Sequence, residues 1–444
     1  MDLRARLDAV LPSVRADLEA LVRIPSVSAL PEHADDVRRS AEAVAALLEA
    51  EGLATEILQI EGGAPAVVGR RPAPPGAPTV LLYAHHDVQP VGDLADWQSE
   101  PFVPTERGER LYGRGSADDK AGIAAHLAAL RILGDDLAVG VTVFVEGEEE
   151  VGSPTLEAFL EAHRDLLAAD VIVIADSGNW DIGVPALTTS LRGLADCVVE
   201  VRTLNHAVHS GMWGGVVPDA LTTLARLLAT LHDDEGNVAV EGLVSSTAAD
   251  LDYPEDRLRA ESGIADGVTL IGSGSYVDRL WTKPAIAVIG LDATPVRDAS
   301  NTLIPLARAK VSVRVSPDDT AENALACLTR HLESHAPWGA QVTVHSGQLG
   351  APTRIDATGP AYDAARAAFR EAWDGVAPVD MGVGGSIPFI ASFQEAFPGA
   401  AVLVTGVEDP DTRAHGANEG LHLAEFRRVC LAEALLLQGL AGLE

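Results

Sequence analysis

Apolar residues recur at three- and four-residue intervals over residues 3–23 and 35–52, the spacing of helices that bury one face. The texture then changes. β-Branched and apolar residues crowd into short runs around Glu56–Ile60 and Ala66–Arg70, and the Pro/Gly stretch RRPAPPGAP is followed by TVLLYA, the pattern of a buried strand. Further runs of this kind, VGVTVFV (139–145), DVIVIA (170–175) and AAVLVTG (400–406), alternate with Ala/Leu-rich helical segments. That alternation predicts an α/β domain.

From Leu191 the order differs. LADCVVEVRT, the helical PDALTTLARLLATLHD, PAIAVIGLDA, ARAKVSVRVS, the helical TAENALACLTRHLESH and AQVTVHSG read as β-α-β-β-α-β, a ferredoxin-like α+β module that ends near Gly350. The predicted organisation is a discontinuous α/β domain, residues 1–190 and 350–444, carrying an inserted lid-like domain at 191–349. Residues 234–282 are acidic and loop-rich and give no fold signal.

A chain of 444 residues is too long for one ordinary core, which agrees with two domains. Its 65 Asp+Glu against 32 Lys+Arg give a net charge of -33, a field that repels nucleic acid and anionic lipid, so polyanion binding is excluded as a function. Cys197, Cys327 and Cys430 match no metal or redox spacing and read as buried small hydrophobes. The first 27 residues mix charges into helical periodicity and lack the apolar run of a signal peptide or membrane anchor, which predicts a cytoplasmic protein.

Ligands of open α/β sheets gather beyond the carboxyl ends of the strands. Polar residues of one chemical kind follow each strand-like run: His85-His86-Asp87, then Glu146 with Glu148-Glu149-Glu150, then Asp176, and after the last run Asp409, Asp411 and His415. Asp118 and Asp119 precede a helical segment. Singly these are ordinary, since an Asp before a helix is usually a cap and a Glu cluster usually a solvated face. Together at one sheet edge they would repel one another unless a cation compensated them. A His/carboxylate set without thiolates suits zinc, manganese or cobalt. Five ligands exceed one open tetrahedral site and fit two metal ions that share a carboxylate.

The segments AHHDVQP, LYGRGSADDKAG, EGEEEVGS, IADSGNW, LRG, HSGMWGG, GGSIP and AHGANE, in order over about residues 20–425, resemble the M20 metallopeptidases, most of all their carnosinase and nonspecific dipeptidase branch. The resemblance implies a homodimeric dipeptidase with two divalent ions, zinc first and manganese or cobalt as alternatives. It makes His85, Asp118 and Asp176 ligands of one ion and Asp118, Glu150 and His415 ligands of the other, with Asp118 bridging and Asp87 orienting His85. The pattern E-E-x-G-S sets Glu149 as general base beside Glu150. It further implies that Arg314 holds the substrate carboxylate, that Gly384, Gly385 and Ser386 line the pocket, that Thr302 contributes to it, and that His209 reaches the partner subunit's site. The branch often has Arg-Glu before Gly-Gly-Ser, where this chain has Gly382-Val383, which removes from the pocket the Glu by which the branch would recognise a free amino group. Two other readings stand beside it: an N-acyl-amino-acid deacylase or related amidohydrolase, and a catalytically silent binding protein. His126, His206, His422, Asp409 and Asp411 read as structural residues.

Overall fold

The computed structural model describes residues 2–248, 250–385 and 388–442. The chain divides into two compact units, one comprising the residues through Thr189 with Ile355–Met381 and the residues from Ser392 onward, the other Ser190–Arg354 with Gly382–Ala391.

The first unit is built on a mixed sheet. Its strands run in the order Ala54–Leu58, Ala66–Arg71, Gly140–Glu146, Thr79–His85, Val171–Ile174, Ala401–Val404 and Ala186–Leu191. The four strands from Gly140–Glu146 to Ala401–Val404 are mutually parallel, and the flanking pairings are antiparallel. Parallel strands covered on both faces must be apolar throughout, and Val80, Leu81, Leu82, Tyr83, Val141, Val143, Ile172 and Val173 are accordingly buried. The first short strand ends at Leu58, two residues before the sequence pattern suggested, because Ile60 already opens a turn in which its carbonyl accepts from Gly63 N.

Register decides where the chemistry goes. His85 pairs with Glu146, Tyr83 with Ile174, and Val404 with Ile174, so two of the parallel strands end at the level of His85 and two at the level of Tyr83, all four opening on the same edge of the sheet. The helix Lys120–Leu133 is almost wholly buried and packs against Leu3–Val22 and Leu423–Leu440. His126 on it bonds Glu433 at 2.7 Å and the Tyr83 carbonyl at 3.0 Å, which makes it the packed core histidine expected. Lys120, also buried, donates to the carbonyls of Leu21 and Ile24.

In the second unit four antiparallel strands take the order Ala285–Asp292, Leu306–Val315, Gly193–Arg202 and Gln341–Gly350. With helices Ala220–Ala229 and Ala321–Ser334 this is the β-α-β-β-α-β ferredoxin-like arrangement. Each helix starts at a side-chain cap, Asp219 accepting from Thr222 N and Thr320 from Asn323 N. The period-two residues Ala195, Cys197, Val199 and Val201 meet Leu224, Leu227, Leu328 and Leu332 in its core. The described residues of the acidic segment 234–282 include a helix, Glu255–Ser262, and a π-helical turn, Asp278–Thr282. The three cysteines are buried and unpaired.

Candidate functional site

Two trios of donor atoms meet at the carboxyl edge of the first unit's sheet. His85, Asp118 and Asp176 form one and Asp118, Glu150 and His415 the other, the atoms of each trio lying within 4.8 Å of one another. Asp118 is common to both. Its Oδ1 stands 3.1 Å from His85 Nε2 and its Oδ2 3.0 Å from His415 Nε2, so each carboxylate oxygen faces a different trio. Asp176 Oδ1 is 3.8 Å from His85 Nε2, and Glu150 Oε2 is 3.3 Å from His415 Nε2. Glu149 Oε2, in neither trio, lies 3.9 Å from His85 Nε2. The donor set, two imidazoles and three carboxylates with no thiolate, fits two borderline-hard divalent ions that share a carboxylate.

The protonation pattern points the same way. Burial alone would depress the His85 imidazole, but Asp118, Asp176 and Asp87 overcome it and hold the ring well above its ordinary value. His415 is pushed up to about 11 by its bonds to Asp118 and Glu150. Burial, and then Asp176, raises the Glu149 carboxyl well above the usual range. Concentrated negative charge is thus drawing protons onto its neighbours, the role a metal cation fills.

Each of these side chains is set by its backbone. The strand Thr79–His85 delivers His85 directly. Asp118 precedes the helix Lys120–Leu133 across a cis peptide bond to Asp119. Asp176 follows Val171–Ile174, and His415 sits in the left-handed region at φ 62°, in a loop where Arg413 and Asn418 also have positive φ. Asp87 stands with its carboxylate Oδ1 3.4 Å from His85 Nδ1. His85 Nδ1 bonds the Asp87 main-chain carbonyl at 3.1 Å, while the Asp87 carboxylate accepts from the backbone N–H groups of Glu149 (3.2 Å) and Glu150 (3.1 Å). One residue therefore meets an imidazole with both its carbonyl and its carboxylate and holds a two-glutamate turn with that same carboxylate. Gln89 completes that turn by donating from its backbone and side chain to the Glu150 carboxylate.

Three further acids near the edge have other employment. Glu146 accepts from the Tyr83 hydroxyl at 2.7 Å and is pushed up to about 7 by burial. Glu148 accepts from Ala64 N, Thr155 N and the Thr155 hydroxyl. Glu419, fully buried, accepts from Arg114 at 2.7 Å and from the backbone amides of Gly115, Ala117 and Asp118, while Arg114 also donates to the carbonyls of His415 and Gly416. This ion pair ties the Asp118 loop to the His415 loop. The sequence offered only its place in AHGANE as a signal. Asp409 pairs with Arg110 and His422 caps Leu423–Leu440, so both are structural; Asp411 is exposed. His86 bonds the Pro65 carbonyl and is depressed to about 4 by burial.

The remaining candidates lie in the second unit. Arg314, half-buried on Leu306–Val315, has no acidic partner among the described residues, in a protein of net charge -33. Burial, then the charge of Arg314, depresses Arg192 to about 10. Arg192 donates to the carbonyls of Gly384, Arg279 and Lys283, which holds Gly384 in place next to Gly385. Ser386 lies outside the described residues. His209 and Thr302 face each other in a two-strand ladder. The His209 Nδ1 accepts from Gly211 N at 3.0 Å, which assigns the proton of the neutral ring to Nε2. His206 is exposed.

Comparison with known proteins agrees with this geometry. The family model described as "Peptidase family M20/M25/M40" matches residues 81–438. The chain is 37% identical over 429 residues to a cysteinylglycine-S-conjugate dipeptidase of Corynebacterium striatum, covering 95% of this chain and 94% of that one. It is 29% identical over 392 residues to a Cys-Gly metallodipeptidase of Candida albicans, covering 82% and 79% of the two chains. The crystal structure of human carnosine dipeptidase 1 superposes with a TM-score of 0.80 at 26% identity, covering 99% and 98% of the chains. The extent of these matches, with a sheet edge that gathers two sets of His and carboxylate donors, shows that this chain belongs to peptidase family M20/M25/M40.

Proposed function

We propose that the protein is a dipeptidase that uses two divalent ions. In this reading His85, Asp118 and Asp176 hold one ion and Asp118, Glu150 and His415 the other, with zinc first among the candidates and manganese or cobalt after it. The observation that carries the reading is the shared Asp118, whose two oxygens stand 3.1 and 3.0 Å from the imidazoles of different trios. Ions bound there would supply Lewis-acid polarisation of the scissile carbonyl and acidification of a water.

The chain's own residues do the rest. Glu149, held by its backbone on the Asp87 carboxylate, takes a proton from the attacking water at its carboxylate and returns it to the nitrogen of the departing amine. One C–N bond breaks, one C–O bond forms, and the base ends as it began. Arg314 receives the substrate's free carboxylate, a role supported by its lack of an acidic partner and by the suitability of a planar guanidinium for bidentate binding. Gly384 and Gly385, with Ser386, offer backbone and hydroxyl donors, and Thr302 a further hydroxyl. The Nε2 proton of His209 suits it to donate to a developing oxyanion.

The same reading includes a homodimer through the second unit, with His209 serving the partner's site. It is supported by the edge strand Ala285–Asp292, where Val288, Ile289 and Leu291 are 46%, 58% and 54% exposed, and by exposed Met212 and Trp213 beside His209. A cytoplasmic location is supported by the three unpaired buried cysteines. Among the described residues no helix is long and apolar enough to cross a membrane.

The test is Glu149→Gln. It should retain both metal ions and lose at least ~10²-fold in kcat on a dipeptide, because the amide cannot accept the proton. Near wild-type turnover in the metal-loaded variant would remove Glu149 from the role.

A further inference from the structure

Glu408 is an acid at the site for which this mechanism has no task. It follows the strand Ala401–Val404, and its backbone is laced to the residues after Asp176. Glu408 N donates to the Ser177 carbonyl (3.4 Å), the Glu408 carbonyl accepts from Asn179 N (2.8 Å), and Gly178 faces it in a parallel bridge. Gly178 allows this approach, since a Cβ there would stand 3.3 Å from the Glu408 side chain. The Glu408 carboxylate is within electrostatic reach of Asp118, Asp176, Glu419 and His415.

The other acids of this edge are committed. Glu419 is held by Arg114 and three backbone amides, Asp119 accepts from His85 N, and Glu150 is held by Gln89 and His415. Among the described residues no ion pair engages the Glu408 carboxylate. Charge counting isolates it further. Asp118, Asp176 and Glu150 with the base Glu149 already match the four positive charges of two divalent ions, and Glu408 is a carboxylate in excess of them.

A dipeptide brings the missing cation. Its ammonium nitrogen is only ~2.5 Å from the scissile carbonyl carbon by covalent geometry, so the counter-charge has to border the metal-binding cluster. A desolvated ammonium without one would be strongly disfavoured. We infer that Glu408 is the specificity residue that receives the free α-amino group of the substrate, so that the enzyme takes unblocked dipeptides in preference to their N-acylated or des-amino counterparts. This rests on the dipeptidase reading.

The experiment compares Ala-Gly with propionyl-Gly, which differs only by the amino group, in wild type, Glu408→Gln and Glu408→Asp. Metal content is measured in every sample, and the Kd of a phosphinic Ala-Gly isostere is measured with and without its amino group. In Glu408→Gln the ratio of kcat/KM for Ala-Gly to that for propionyl-Gly should fall ~10–100-fold, the scale of one lost charge-assisted hydrogen bond. The Kd ratio of the isosteres should fall in parallel, with two metal ions still bound. Glu408→Asp, which keeps the charge, should retain more of both ratios. Unchanged ratios in Glu408→Gln, equal losses in both variants, or loss of a metal ion would overturn the inference. Wild type that cleaves no dipeptide would overturn both it and the dipeptidase reading.

Discussion

Removing Asp118 tests the shared-ligand geometry at its centre. Two ions that share a carboxylate sit ~3.5–4 Å apart, and at an effective dielectric constant of about 20 their mutual repulsion is ~18 kcal/mol. A bridging carboxylate shares one charge between two oxygens, each attracting its own ion at ~2.1 Å by ~8 kcal/mol and the other ion at ~4 Å by ~4 kcal/mol on the same scale, so the bridge as a whole contributes ~24 kcal/mol and outweighs the repulsion. Desolvation offsets much of each figure, but the comparison decides the outcome. On the proposed assignment, His85 and Asp176 on one side, and Glu150 and His415 on the other, would leave each ion two ligands and no anion between them. Asp118→Ala should therefore bind at most one ion, with the second equivalent lost on dialysis. The assay is elemental analysis of protein equilibrated at fixed free zinc, beside calorimetric titration of the metal-free form. Two equivalents bound with wild-type affinity would refute the bridging role.

Glu419→Gln removes the charge that fixes the Asp118 loop while leaving all five donors present. Metal affinity should weaken ~10–100-fold, as when outer-shell partners are lost, and an unchanged metal titration would show that the loop is set by other contacts. Arg314→Lys should raise KM for dipeptides with a free carboxylate and matter far less for their C-terminal amides; equal effects on both would show that Arg314 does not read the carboxylate. The buried His126–Glu433 pair gives a pH signature. Burial lowers the imidazole but Glu433 raises it above its ordinary value, so its stabilising contribution is complete below about pH 6.5 and fades as pH rises through the folded-state value. Glu433→Gln should thus destabilise the protein most at about pH 6, on the order of 1–3 kcal/mol in urea unfolding, and least at alkaline pH; a pH-independent loss would contradict this.

The strands that carry the site were legible in the sequence because apolar runs in a parallel sheet have no polar face to disguise them, and because chemistry concentrates where such runs stop. The ferredoxin-like module showed itself through the β-α-β-β-α-β order of its strand-like and helical runs, whose apolar residues Ala195, Cys197, Val199 and Val201 meet the two helices in one core. Sheet order did not show, since crossovers place Ala401–Val404 beside Val171–Ile174 across more than two hundred residues. Asp87 was recognised as a supporting residue, but its carboxylate bonds amides sixty-two and sixty-three positions away, and no local pattern reports such a contact. Glu408 was invisible for a related reason. In VEDPD it looks like one acid of a solvated loop, and only the bridge to Gly178 brings it beside Asp176.

The central claim, hydrolysis of dipeptides by a two-metal site, is tested most directly by titrating chelator-stripped protein with zinc while following Ala-Gly cleavage and bound metal in the same samples. The account predicts no turnover in the stripped protein and full activity only as occupancy approaches two ions per chain, with N-acetyl amino acids cleaved far more slowly. Undiminished cleavage without metal, or no cleavage of any dipeptide at full occupancy, would contradict it.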